Sequence, residues 1–153
     1  SIAFYTRTTR LNCALVYTLL HALEPDANGN ATYAMCVANA GCIQPIIRRR
    51  EGALEWVNVS GMPLGIGMGA RSGYQKMVLT LTQGDMVILT SDGVVEAKNG
   101  ARQMFGFARL EQTIAEGPVN DADAMLAHIK QQVQVFVQDE EAHDDLTIVV
   151  VQV

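Results

Sequence analysis

The strongest pattern along the chain is Met86-Val87-Ile88-Leu89, an unbroken apolar run entered through Gly84-Asp85 and left through Ser91-Asp92-Gly93. A run this short, with turn residues at both ends, reads as a strand covered on both faces. Just upstream, Gln75 to Leu81 alternates, with Met77, Leu79 and Leu81 at the period of a strand that has one covered face. Two earlier apolar runs, Cys13 to Leu23 and Ala31 to Ala38, flank the turn sequence Pro25-Asp26-Ala27-Asn28-Gly29 and predict a hairpin. Cys42 to Arg50 and Leu54 to Val59 predict a second pair around Arg50-Glu51-Gly52. Between them and the alternating strand, Ser60 to Ser72 holds Gly61, Pro63, Gly65, Gly67 and Gly69. This is a long irregular connection, either a flap over a site or a surface excursion.

Beyond the central strand the period changes. Phe107, Leu110 and Ile114 recur at helical spacing before Gly117-Pro118 stops the helix. Asn120 then caps a second helix, whose Met125, Leu126, Ile129, Val133, Phe136 and Val137 form one apolar stripe suited to covering a sheet. A last apolar run, Ile148 to Val151, returns as a strand. Strands first, helices later and a closing strand predict an α+β domain, a layered antiparallel sheet covered by helices.

Chemistry concentrates where strands end. Asp92 follows a buried strand and is followed by Gly93, which allows the backbone to turn; this presents a fixed carboxylate to a cation, although Asp-Gly is also an ordinary turn. A second acidic stretch, Glu141-Ala-His-Asp-Asp, stands directly before the closing strand. If that strand pairs antiparallel with the one before Asp92, the two carboxylate groups meet at one rim of the sheet.

The ordered set Gly84-Asp85, Val87 to Ala97, Phe105-Gly106 and Asp144-Asp145-Leu146-Thr147-Ile148-Val149-Val150 resembles the PP2C-type metal-dependent serine/threonine phosphatases. The likeness is to the bacterial branch that includes SpoIIE and RsbU. Ala38-Asn39-Ala40-Gly41 and Met62-Pro63-Leu64-Gly65-Ile66-Gly67 add to it, so it runs over nearly the whole chain. The resemblance implies a PP2C-like fold over residues 1–153. It also implies a centre of two Mn²⁺ or Mg²⁺ ions roughly 3.5–4 Å apart that activates water against a phosphoserine or phosphothreonine of a regulatory protein in bacterial stress signalling. It assigns Asp92 and Asp144 as metal ligands, Asp145 as a support beside the ligand position, and Gly93 as the hinge that exposes Asp92.

The departures are as definite as the matches. The Gly-Asp-x-x-Asp and Asp-x-x-Gly-His-Gly segments of the family's N-terminal part are missing, Cys42 stands where histidine is usual, and Ser91 where threonine is. With Asp92 and Asp144 as the only ligands, a two-metal centre is incomplete. The chain also starts at Ser1 without an initiator methionine, as a piece of a longer polypeptide would. It reads as the C-terminal portion of a phosphatase, with a catalytically inactive binding or regulatory module as the alternative.

Other polar residues have simpler readings. Asp85 belongs to the turn before the central strand, Asp139-Glu140-Glu141 to the solvated end of the second helix, and Arg48-Arg49-Arg50 to the solvated end of a strand. His143 reads as an exposed loop residue rather than a proton donor; His21 and His128 lie within a strand and a helix. A formal net charge of −5 argues against a nucleic-acid partner. Three widely spaced cysteines, Cys13, Cys36 and Cys42, fit neither a disulfide framework nor a zinc site and suit a reducing cytoplasm. No run approaches the ~18 apolar residues of a membrane helix. A sheet edge left open by the missing N-terminal part is a place for a second copy of the chain.

Overall fold

The computed structural model describes residues 12–65, 73–138 and 145–153. The described chain falls into two compact units, residues 1–44 with 57–82, and residues 45–56 with 83–153.

The first unit is a three-stranded antiparallel sheet. β1 (Leu15–Leu23) and β2 (Thr32–Ala40) form the expected hairpin, and β5 (Lys76–Thr82) lies on the other side of β2. At its turn Asp26 accepts hydrogen bonds from the backbone N–H groups of Asn28 and Asn30, each at 2.8 Å. The alternation read in β5 is real: Leu81 is buried while Val78 is exposed. Met35, Val37, Val57 and Val59 join Leu81 in the core of this unit.

One buried polar side chain holds its loops. Asn39 donates from Nδ2 to the carbonyls of Cys42 (2.9 Å) and Val59 (3.2 Å) and accepts from the Cys42 N–H (2.9 Å). Gly61 passes so close that a Cβ there would sit 2.3 Å from the Asn39 carbonyl oxygen. Further on, Cys13 and Leu64 exchange two backbone hydrogen bonds of 2.9 and 2.8 Å. The connection from Ser60 is therefore tied down as far as Leu64, and its stretch 66–72 lies outside the described residues.

The second unit contains the other sheet, ordered β4-β3-β6-β7, with β3 (Ile46–Arg48), β4 (Leu54–Trp56), β6 (Met86–Thr90) and β7 (Ile148–Gln152). All three neighbouring pairs are antiparallel. As the apolar run predicts, Met86, Val87 and Ile88 are buried. Three helices follow β6: α1 (Asp92–Glu96), α2 (Gly106–Glu116) and α3 (Ala122–Val137). α3 packs on β7 and on α2, and α1 packs on α2. Leu110, Ile114, Met125, Ile129 and Val133 supply the buried stripes, whereas Phe107 lies largely exposed, edge-on to Trp56. The cap of α3 is one residue later than expected: the Asp121 carboxylate, not Asn120, accepts from the N–H groups of Asp123 and Ala124.

The arginine run is not a solvated strand end. Arg48 is buried and donates to the carbonyls of Ala115 (3.1 Å) and Pro118 (3.0 Å), where α2 finishes and needs donors. Burial lowers its pKa from the ordinary value. Arg49 donates to Glu55 and to Asp85 Oδ2 (2.9 Å); burial works to lower its pKa, and the two carboxylates outweigh it and raise it. His128 also has a partner, the Thr113 carbonyl, 3.2 Å from Nε2.

Candidate active site

The candidate site grows from the end of β6. After Thr90 the chain reaches Ser91, whose backbone is still extended, and then enters α1 at Asp92. Gly93 is not a left-handed hinge: no positive φ occurs there. It is the second residue of α1, it is buried, and its N–H donates to Asp92 Oδ1 at 3.1 Å. Starting a helix turns the chain and leaves the Asp92 side chain at the surface.

β6 and β7 pair antiparallel, with Thr90 opposite Ile148, as expected for strands whose acidic ends are to meet. Ser91 closes this rim. Its N–H donates to the Thr147 carbonyl (2.9 Å), its hydroxyl donates to the Asp145 carbonyl (3.1 Å), and the same hydroxyl accepts from the Thr147 N–H (3.0 Å). Ser91 occupies a helix N-cap position without capping the helix, because its hydroxyl is spent on the neighbouring strand. Asp92 and Asp145 are thus carried on adjoining segments at one end of the sheet. Asp144 and His143 lie outside the described residues, as does the acidic run Asp139 to Glu141.

Ser91 is the rim position that the sequence pattern left in the background. Its signal is a hydroxyl residue between a buried strand and an aspartate, and threonine carries the same hydroxyl. Replacing Ser91 by alanine removes two hydrogen bonds and is expected to cost about 1–2 kcal/mol. Amide exchange at Thr147 will rise in that variant and stay near wild type in Ser91→Thr.

The donor set at this rim is hard oxygen, the chemistry that Mg²⁺ and Mn²⁺ take. Among the described residues, however, no group of three or more His, Cys, Asp or Glu side chains is placed to hold an ion. Those residues alone do not complete a metal centre. At the opposite end of β6, Asp85 is buried and engaged by arginines, as a turn residue rather than a ligand. Among the described residues no helix is long and apolar enough to cross a membrane.

Over residues 8–153 the sequence matches the family described as stage II sporulation protein E (SpoIIE). It is 27% identical over 147 residues to protein IcfG of a Synechocystis species, a match that covers 96% of this chain and 22% of that protein. The structure is similar to the SiaA-PP2C domain of Pseudomonas aeruginosa, with a TM-score of 0.65 and 15% identity over 81% of this chain and 51% of the other. It is also similar to the phosphatase domain of the cell fate determinant SpoIIE from Bacillus subtilis, presoaked with Mn, with a TM-score of 0.55 and 17% identity over 89% and 56%. The fold is therefore α+β and PP2C-like. The chain spans about a fifth of the curated relative and about half of each of these solved chains.

Proposed function

The chain belongs to the stage II sporulation protein E family of PP2C-type phosphatase domains, and from that premise we propose that it is the C-terminal portion of a metal-dependent protein serine/threonine phosphatase. Its substrate is a phosphoserine or phosphothreonine in a regulatory protein of a bacterial signalling pathway. Asp92 and Asp144 are its contribution of metal ligands, supported by Gly93 and Asp145. Mn²⁺ or Mg²⁺, when bound, activates water for attack on phosphorus. The chain's own residues present and hold the carboxylates.

The observation that carries this reading is the Ser91 clasp, which brings the segment leading into β7 against the end of β6 beside Asp92. A working centre needs further oxygen ligands, which a different segment of the polypeptide supplies. In a reducing cytoplasm Cys13 and Cys36 remain the free thiols that they are here. The test is Mn²⁺-dependent hydrolysis of an aryl phosphate and of a phosphoserine peptide, by the 153-residue chain and by the full-length polypeptide. We expect turnover from the full-length protein and little from the chain alone. Full-length protein that turns over neither substrate with Mn²⁺ or Mg²⁺ would favour the second reading, an inactive regulatory module.

A further inference from the structure

The segment between α1 and α2, Lys98 to Met104, forms a small hairpin. Lys98 and Met104 face each other in an antiparallel bridge, and the Phe105 N–H donates to the Ala97 carbonyl at 2.8 Å, so the chain leaves and returns at the end of α1. Asn99 fixes the loop: its side-chain oxygen accepts from the N–H groups of Ala101 (3.1 Å) and Gln103 (2.9 Å), and its Nδ2 donates to Gln103 Oε1 (3.2 Å). Arg109 fixes the base. Its Nη1 donates to the Met104 and Phe105 carbonyls at 2.9 and 3.1 Å, and its guanidinium lies 4.7 Å from the centre of the Phe136 ring.

Within this well-bonded loop one residue is strained. The turn is closed by a 2.7 Å bond from the Arg102 N–H to the Asn99 carbonyl, and Arg102 takes φ +59°. Glycine is the ordinary occupant of that left-handed region, because a Cβ there crowds the following carbonyl oxygen. Gly100, two residues earlier, would take it freely and does not. A strained residue in a surrounding that holds it firmly is a mark of function. The fold itself makes no use of an arginine here: the side chain is exposed, and no hydrogen bond or ion pair engages it among the described residues.

The other arginines of this unit are committed or distant. Arg48, Arg49 and Arg109 serve carbonyls or carboxylates, and Arg50 lies against Gly84, at the opposite end of β6 from Asp92. Lys98 and Arg102 instead stand on the segment that continues from Asp92. α1 has five residues, which puts the hairpin base about 8 Å from Asp92. Three further residues of hairpin add at most about 10 Å, so Arg102 lies within about 18 Å, the span of about five residues of extended peptide. We propose that this hairpin is a specificity element for the phosphatase reading above, on which the inference rests: Arg102, with Lys98, pairs with acidic residues of the phosphoprotein substrate within about five residues of the phosphorylated serine or threonine.

The test uses the full-length polypeptide with Mn²⁺ and three substrates: an aryl phosphate, a phosphoserine peptide with glutamates about three to five residues to either side, and the same peptide with alanines there. Wild type should prefer the glutamate peptide in kcat/KM by about fivefold, the worth of an exposed ion pair, with the difference in KM and shrinking as salt rises. Arg102→Gly should remove most of that preference while folding at least as stably as wild type, since glycine takes the left-handed turn freely. Arg102→Lys should keep the preference and Arg102→Glu should reverse it. Lys130→Ala, on α3, should discriminate as wild type does. The inference is overturned if wild type hydrolyses the aryl phosphate and both peptides without preference, or if Arg102→Gly and Arg102→Glu still favour the glutamate peptide. A wild type that hydrolyses none of the three overturns the phosphatase reading and the inference with it.

Discussion

On the function proposed above, Asp92→Asn is expected to lower Mn²⁺-dependent phosphate hydrolysis by the full-length protein by on the order of a hundredfold or more, while leaving its stability unchanged. The structure separates the two effects. Asp92 is exposed, and the hydrogen bond that its side chain accepts from the Gly93 N–H can be kept by the carbonyl oxygen of asparagine. Surface changes of this kind shift stability by within about 0.5 kcal/mol. What asparagine does not keep is the negative charge that strengthens a carboxylate's hold on a hard cation. Mn²⁺ affinity, read by calorimetry, should fall together with turnover. Unchanged activity and unchanged affinity would remove Asp92 from the centre.

The same substitution at the other end of β6 should do the reverse. Asp85→Asn is expected to destabilise the protein by about 3 kcal/mol. Asp85 is 2% exposed, and each of its oxygens has a donor: Oδ2 takes Arg49 Nη1 and Oδ1 takes the Arg50 N–H, both at 2.9 Å. Asparagine offers one oxygen to these two donors and turns an NH₂ group toward the other. A charge-assisted bond is lost and a buried donor is left opposed by a donor. Denaturant unfolding should show a lower midpoint with little change in slope. A loss under about 1 kcal/mol would mean that Arg49 is held well enough by Glu55 alone.

The pair illustrates what the sequence discloses. Apolar runs and their punctuation located β5, β6 and the β1–β2 hairpin, and the two acidic strand ends predicted the antiparallel meeting of β6 with β7, because these signals are local. Periodicity reports which face of a strand is covered but not which strand lies beside it. The separation of β1, β2 and β5 from the other four strands was therefore invisible in the pattern. The arginines were misread for a related reason. Arg48 and Arg49 look like a solvated cluster until residues 36 to 70 positions away supply Asp85 and the end of α2. Ser91 was noticed only as a substitute for threonine, since its bonds reach more than 50 residues down the chain.

The Ser91 clasp also bears on strand alignment. β7 reads Ile-Val-Val-Val-Gln, without the alternation by which a strand ordinarily distinguishes one face from the other. A slip of one residue along β6 would exchange valine for valine and alter burial little, so hydrophobicity alone sets its register weakly. Polar contacts at the two ends therefore act as stops. Ser91 holds residues 145 and 147, while Gly84 and Asp85 hold Val153 through backbone hydrogen bonds of 2.6 and 3.1 Å. Misalignment by a single step would move Asp145 about 3.3 Å along the rim, so the place of that carboxylate depends on contacts as small as one hydroxyl group.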